Sequence, residues 1–463
     1  MSKEWFYAIE NGNLTKVKEW FYAIENGNLT KVKELLSKNP TFLHSLSHDK
    51  ETAIIKASEN GHVDVVQYLL DSGANPNDHD KTGVCQSSLI LASHKGNTDV
   101  VAILLDAGAN IEYQNSQCET ALITAAQEGQ IEVVRLLILY GADANHQNAN
   151  CETASSLASF LLRGHVKTEM INLLNTTIEQ MLFEISASDD DNNAHEVEII
   201  LNKNPGINVN ELCKIFKGKP WTATPLYIAS KNCNTDVVRI LLNHKDIEVN
   251  AKSVAGETPL YIASKFDCAD VITLLLEHGA GPNIADEFGR TPLYAASSIN
   301  SPDAVNILLE NGVADVNIKE TLLGKTPLFA ACENGHTDIA DALLIAGADI
   351  NTKNNNGKTP LFAACEKGHK EIIKFLLFRG ANLYDKDNIG RTCFDVANEE
   401  IVSILKQWTT IMFIDVLQKN NAYNELDFKT IEDIHQYQGG KKRKSRKTMR
   451  KKRGSRKTMR KKH

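Results

Sequence analysis

One stretch of sequence occurs twice, and begins a third time, between residues 324 and 395. GKTPLFAACENGH begins at Gly324, GKTPLFAACEKGH begins 33 residues later at Gly357, and a shortened GRTCFDVA begins at Gly390. A unit of this length cannot bury its apolar face by itself, so neighbouring units must stack. This period therefore predicts a row of similar units and sets the register for the rest of the chain.

The residues of one unit predict a helix, a turn, a second helix and a projecting turn. Thr359 and Pro360 open the first helix, because threonine caps free N–H groups and proline lacks the donor that this position would waste. Gly368 breaks the chain, and residues 372–377 place apolar side chains at helical spacing. Gly380 is suited to the left-handed conformation that ends a helix.

This wording and its 33-residue period resemble the ankyrin repeat over roughly residues 20–408. The resemblance implies an all-α solenoid of about eleven to twelve helix–turn–helix units. Regular repeats of the second half begin at Thr224, Thr258, Thr291, Thr326, Thr359 and Thr392. Where the family usually reads TPLH, this chain replaces the histidine with Tyr227, Tyr261, Tyr294, Phe329 and Phe362. We expect these aromatic side chains to pack between repeats.

The N-terminus departs from the period. WFYAIENGNLTKVKE begins at Trp5 and recurs without change from Trp20, a spacing of 15 residues. If both Asn–Gly pairs break helices, residues 14–25 form one helix that belongs to two short hairpins. We predict an atypical N-terminal cap over residues 1–49, because terminal repeats are expected to differ from internal ones.

Changes in the repeat sequence divide the rest of the chain into segments. Residues 50–174 and 223–408 are predicted to be the N-terminal and C-terminal repeats, separated by a degenerate repeat and enlarged turn over residues 175–222. Its segment CKIFKGKPW, within residues 213–221, is the predicted flexible joint. Residues 409–438 are predicted to form capping helices, with LDFKTIEDIHQY as the second of them. The tail, residues 439–463, is predicted to be disordered.

No motif in the chain requires catalysis, so no active site, cofactor or metal is predicted. The spacing of Cys332 with His336, and of Cys365 with His369, is explained by repeat packing rather than by zinc. We interpret the nine cysteines as reduced, mostly buried small hydrophobic residues of a cytosolic or nuclear protein. No apolar run reaches the length of a transmembrane span, and no secretory signal is recognised, so an intracellular location is expected.

The net charge of −7 conceals an acidic body and a basic tail. Residues 439–463 carry 15 Lys/Arg and no Asp/Glu, which leaves the first 438 residues with a net charge of −22. Three interpretations of the tail stay open: a nuclear-localisation sequence, an arm that binds nucleic-acid phosphates, or a solvated extension that adheres to polyanions. The residues concerned are Lys441, Lys442, Arg443, Lys444, Arg446, Lys447, Arg450, Lys451, Lys452, Arg453, Arg456, Lys457, Arg460, Lys461 and Lys462.

The body offers a second surface. In ankyrin-like stacks, partners generally meet the projecting turns and the concave face of the first helices, so positions that vary between similar repeats are the candidates. The predicted partner-binding residues are Lys252, Ser253, Val254, Glu287, Phe288, Asn354, Asn355, Asn356, Asn388 and Ile389.

These features predict a non-enzymatic scaffold, monomeric, that binds macromolecular partners through its turns and concave helix face. The first alternative is a nucleic-acid-associated or virion-associated factor that uses the basic tail. The second is a ubiquitin-ligase adaptor, which would need a larger C-terminal module than residues 409–438 offer. The near-identical repeats, asparagine-rich turns and basic tail resemble the expanded ankyrin families of large DNA viruses. No membrane partner is predicted.

Overall fold

The computed structural model describes residues 14–188, 193–216, 219–310 and 314–419. Within these ranges, 24 α-helices pair in chain order into twelve hairpins, and one two-stranded sheet interrupts them. The predicted all-α solenoid of helix–turn–helix units is confirmed. No helix in the described ranges is both long and apolar enough to cross a membrane.

The chain divides into two compact units, which we call the first unit (residues 1–228 and 236–247) and the second unit (residues 229–235 and 248–463). The first unit contains α1 (Leu14–Glu25), α2 (Leu29–Lys38), a 3-10 turn (Pro40–His44), α3 (Ala53–Glu59), α4 (Val63–Asp71), α5 (Ser88–Lys95), α6 (Thr98–Asp106), α7 (Ala121–Glu128), α8 (Ile131–Leu139), α9 (Ala154–Leu161), α10 (Gly164–Asn175), α11 (Ile178–Ser186), α12 (Asn193–Lys203), β1 (Cys213–Phe216) and β2 (Lys219–Ala223). The boundary falls within α13 (Pro225–Lys231) and α14 (Thr235–Leu242). The second unit continues with α15 (Pro259–Lys265), α16 (Ala269–Glu277), α17 (Pro292–Ile299), α18 (Pro302–Glu310), α19 (Pro327–Asn334), α20 (Thr337–Ile345), α21 (Pro360–Lys367), α22 (Lys370–Phe378), α23 (Cys393–Val396) and α24 (Glu399–Lys419).

The first helices begin as the sequence predicts. Thr359 Oγ1 accepts a hydrogen bond from the N–H of Phe362 at 3.2 Å, and Pro360 follows at the first helical position. Gly368 and Gly380 end the two helices of this hairpin with φ of +79° and +92°, in the left-handed region. First helices pack against first helices of neighbouring repeats, as α19 does against α17 and α21. Many of the buried apolar side chains lie at these contacts between helices.

The helix predicted over residues 14–25 of the N-terminal duplication is present. Helix α1 spans the predicted residues 14–25 and buries Trp20, Ala23 and Ile24. Gly27 ends the turn that follows α1 with φ of +64°. The second Asn–Gly pair therefore breaks the helix, and the first pair, Asn11–Gly12, lies outside the described residues.

The aromatic residues in place of the family histidine pack between repeats, which confirms the prediction for Tyr227, Tyr261, Phe329 and Phe362. Tyr294 stays partly exposed. Phe362 is almost fully buried, and the Lys358 ammonium lies 5.4 Å from its ring centroid. The aromatic rings therefore fill the space between first helices and support cations above them.

Two segments depart from the predictions. The enlarged turn after α12 contains the antiparallel pair β1–β2, with Cys213 opposite Ala223 and Phe216 opposite Lys219. This hairpin lies within the first unit. The boundary predicted between residues 408 and 409 falls inside the continuous 21-residue helix α24. The last repeat's second helix and the first predicted capping helix are therefore one helix.

The third departure from the predictions is a disulfide, and a contact that recurs between consecutive repeats explains it. Gly335 has φ of +82°, and a Cβ atom there would lie 2.9 Å from the His369 ring of the next repeat. His369 Nε2 is hydrogen-bonded to the carbonyl oxygen of Glu333 at 2.9 Å. The same contact joins Gly27 to His62, Gly61 to Asn97 and Gly96 to Gln130.

Cys233 and Cys268 occupy these two positions in the second unit and form a disulfide, with Cα atoms 5.1 Å apart. The prediction that all nine cysteines are reduced is therefore wrong for this pair, because the fold brings a turn residue against the following helix start. The other seven cysteines are free, and Cys151 among them is exposed.

We expect reduction to destabilise the wild-type chain. Opening a link between residues 35 apart in sequence removes about 3–4 kcal/mol of loop-closure contribution. The double variant Cys233→Gly/Cys268→His restores the glycine and histidine of other repeats, so its unfolding midpoint should not respond to dithiothreitol. Cys151→Ser is the control and should respond as the wild type does. A wild-type midpoint that is unchanged by reductant in thermal denaturation would contradict this prediction.

Candidate interaction surface

The projecting turns of the second unit form a series that we call the tip row, comprising residues 252–257, 286–290, 320–325, 354–358 and 387–391. Four of these turns are closed by a buried acceptor side chain, at Asp286, Glu320, Asn354 and Asp387. Asn354 Oδ1, for example, accepts from the N–H groups of Asn356 and Lys358, both at 3.0 Å. Each of these four turns is therefore held by its own side chain.

This geometry corrects the prediction that Asn354 contacts a partner. Only 7% of the residue is exposed, and its amide oxygen is engaged within the turn. A buried amide that is already hydrogen-bonded offers no surface to another molecule. Asn354 is thus a structural residue, and Asn355 and Asn356 are the exposed members of this turn.

Asp387 closes the last turn as a carboxylate. Burial raises its pKa, but hydrogen bonds from Arg391 and from the N–H of Ile389 outweigh that effect and hold the pKa below its ordinary value. Its Oδ2 lies 2.9 Å from Arg391 Nη2. The stability that this carboxylate contributes is therefore present at neutral pH and is lost as the pH falls through the lowered pKa.

Backbone hydrogen bonds join each turn of the tip row to the next. The N–H of Thr321 donates to the carbonyl oxygen of Phe288 at 2.8 Å, and that of Asn355 donates to Leu323 at 2.8 Å. The bond from Asn388 to Asn356 is 3.1 Å. The tips are therefore linked across repeats and need little ordering before they bind another molecule.

Several predicted partner-binding side chains also join neighbouring turns. Asn388 Nδ2 donates to the carbonyl oxygen of Asn355 at 2.9 Å, and Asn355 Nδ2 donates to that of Leu322 at 3.4 Å. Lys252 Nζ donates to the carbonyl oxygen of Ala285 at 2.9 Å. These residues are exposed, so they both order the row and border its surface.

The exposed apolar side chains of the tip row were predicted only in part. Val254, Phe288 and Ile389 are exposed as expected, and Ile389 is 75% exposed. The sequence analysis missed Leu322, which is 65% exposed, and its exposed neighbour Leu323. Their signal was an adjacent pair of leucines in a turn whose counterpart in the next repeat, residues 354–358, is wholly polar.

The remaining predicted residues border this apolar series. Glu287 is exposed and Ser253 is half-buried. Arg290 lies over the ring of Phe288, with the guanidinium carbon 4.9 Å from the ring centroid, and its Nη2 is 2.6 Å from Asp286. An aromatic ring that is fixed in this way resembles the aromatic and arginine anchors of protein interfaces.

The histidines near Cys332 and Cys365 have structural roles. His336 Nδ1 lies 3.0 Å from the carbonyl oxygen of Ser297, and His369 bonds to Glu333 in the same manner. Burial raises the pKa of the Cys332 thiol. In the part of the chain that the structure describes, no cluster of His, Cys, Asp and Glu side chains could hold a metal ion. The predicted polyanion-binding residues of the tail lie outside the described ranges.

Comparison with known families decides which fold family the repeats represent. The family model described as "Ankyrin repeats (3 copies)" matches residues 20–115, 78–148, 183–286, 278–354 and 343–412, which is well over half of the chain. The chain belongs to the ankyrin-repeat family. No curated protein matches this ankyrin-repeat chain. Ankyrin repeats are in general protein–protein interaction modules and typically non-enzymatic.

The tip row of this ankyrin-repeat protein depends on glycine for two separate reasons. Gly357 has φ of +75°, and a Cβ atom there would lie 2.8 Å from the backbone nitrogen of Asn388 in the next turn. Gly390 holds the same position in the last turn with φ of +86°, and a Cβ atom there would meet nothing within 4 Å. Both glycines have a left-handed backbone, but only Gly357 closely approaches the next turn. Comparing the two therefore separates the effect of backbone strain from that of contact between turns.

We expect Gly390→Ala to cost about 1–2 kcal/mol of unfolding free energy, from the left-handed backbone alone. Gly357→Ala should cost more, because the added methyl group also forces adjacent turns apart. Urea denaturation of both variants, together with hydrogen exchange at the Asn388 amide, measures the difference. Equal losses in the two variants would show that the close approach between turns is unimportant.

Proposed function

We propose that this chain is a non-enzymatic scaffold that binds a protein partner through the tip row and the adjoining first-helix face of the second unit. The observation that carries the proposal is a hydrogen-bonded series of turns whose tips expose Val254, Phe288, Leu322, Leu323 and Ile389. Contiguous exposed apolar side chains that are rimmed by polar groups are typical of protein interaction sites.

Preorganisation supports this proposal. Association must offset the loss of side-chain and loop freedom at an interface. Here the backbone of each tip is already bonded to the preceding tip, and Asp286 and Asn354 close their own turns. The apolar side chains can therefore be buried by a partner while the turns keep their conformation.

The first-helix face beside the tips supplies fixed charges. Lys325 Nζ lies 2.6 Å from Glu333 and 5.6 Å from the centroid of the Phe329 ring. Lys358 repeats this arrangement with Glu366 at 2.7 Å. Because cation and carboxylate occur in the same order in these two consecutive repeats, this face offers a fixed pattern of charge to a polar partner segment.

Phe288 and Leu322 are the proposed anchors because both combine exposure with a held backbone. We expect the double variant Phe288→Ser/Leu322→Ser to weaken partner binding by about 2 kcal/mol or more, roughly thirtyfold in Kd. The partner is first recovered from nuclease-treated lysate with the full chain, and its affinity for each purified variant is then measured by biolayer interferometry.

Val84→Ser is the matched control. Val84 is an exposed apolar residue at a turn of the first unit, so its replacement should leave the affinity unchanged. A second arm deletes residues 439–463, which the tail hypothesis requires for binding. Unchanged affinity of the double variant, combined with loss of binding on deletion of the tail, would contradict the proposal and favour the nucleic-acid-associated or virion-associated alternative.

A further inference from the structure

The outer face of the second unit carries an apolar row that the proposed function does not use. It consists of Ile345 on α20, Phe378 on α22 and Ile411 on α24, each 33 residues from the next. Ile345 is 74% exposed and Phe378 is 78% exposed. The same position at the end of earlier second helices holds Asp71, Asp106, Glu277 and Glu310. Leu139 of α8 is also apolar at this position but is buried, whereas Ile345, Phe378 and Ile411 are exposed.

A groove runs along this row between α22 and α24. Its volume is about 560 Å³, and its apolar wall is formed by Phe375, Phe378, Ile404, Trp408 and Ile411. Phe375 and Trp408 are themselves 33 residues apart, so the groove is built from equivalent positions of two successive second helices. Phe375 and Phe378 come from α22, and Ile404, Trp408 and Ile411 come from α24.

The rim of the groove is polar, and its lysine and glutamate side chains pair with each other. Lys374 Nζ lies 2.8 Å from Glu371 Oε1, and both residues line the groove together with Gln407. An apolar floor between polar edges is the form of a site that receives one amphipathic helix.

We propose that residues 427–437 of this chain dock in the groove as an amphipathic helix. Phe428, Ile431 and Ile434 recur at three-residue intervals and would form one apolar stripe. Asp427 precedes them as an N-cap residue. The opposite side would carry Lys429 and Asp433 and would stay in water.

The chain between α24 and residues 427–437 is long enough for this segment to reach the groove. Helix α24 ends at Lys419, eight residues beyond Ile411, and therefore extends about 12 Å past it. Residues 420–426 can span up to about 23 Å, which is enough to bring residue 428 back alongside the groove.

Tethering favours this segment over a separate molecule. A short flexible link gives the segment a millimolar effective concentration at the groove, whereas a second copy or another protein must also lose its translational freedom. The apolar stripe of the segment thus suits the apolar wall of the groove, and the linker is long enough to bring the two together.

Hydrogen exchange of the full chain tests the proposal. The amides of residues 428–437 should exchange at least about tenfold more slowly than those of an unstructured peptide. Ile431→Asp/Ile434→Asp should remove this protection. Phe378→Ser should remove it as well, although the substitution lies on α22, and the exposure of Phe378 means that the variant retains its fold.

Ile345→Ser is the matched control, because Ile345 belongs to the same apolar row but does not line the groove. It should leave the protection of residues 428–437 unchanged. Absence of protection in the wild-type chain would overturn the proposal. Protection that survives Phe378→Ser, or that disappears on dilution as a contact between two copies would, would overturn it equally.

Discussion

Contact between the backbones of consecutive repeats, closer than a side chain would permit, is the constraint on which the rest of the second unit depends. A Cβ atom at Gly256 would lie 2.7 Å from the nitrogen of Glu287, and the same conflict recurs at Gly357. This proximity allows the N–H of one turn to reach the carbonyl group of the previous turn. The exposed tips are consequently ordered by the stack itself rather than by a partner.

Much of this architecture could be predicted because its determinants are local or periodic. The second Asn–Gly pair placed the end of α1, and the Thr–Pro pairs placed the starts of α19 and α21. The burial of Phe329 and Phe362 followed from their position in the repeat.

The departures depend on contacts between units of the repeat that spacing alone does not show. The approach of Cys233 to Cys268 results from a turn of one repeat facing the helix start of the next, at a separation of 35 residues rather than 33. The burial of Asn354 was hidden because a run of three asparagines appears uniformly polar in sequence. The fusion of two predicted helices in α24 reflects the lack of any glycine or proline between residues 399 and 419.

The candidate site was only partly predictable for a related reason. A search for residues that vary between similar repeats found Phe288 and Ile389, but it passed over Leu322 and Leu323 because their turn is longer by one residue. Variation in composition and variation in turn length are separate signals. The regular repeats support the turns, and the irregular positions supply the exposed apolar side chains of the tip row.

The disulfide between Cys233 and Cys268 has a mechanical consequence. A solenoid that is pulled from its ends can lengthen one repeat at a time, since each repeat contacts only its neighbours. The chain between the two cysteines, which are 35 residues apart in sequence, is bypassed by a covalent path, so about 120 Å of extended chain stays out of reach of the applied force. The protein therefore contains one segment whose end-to-end length is fixed under tension while the flanking repeats can still extend.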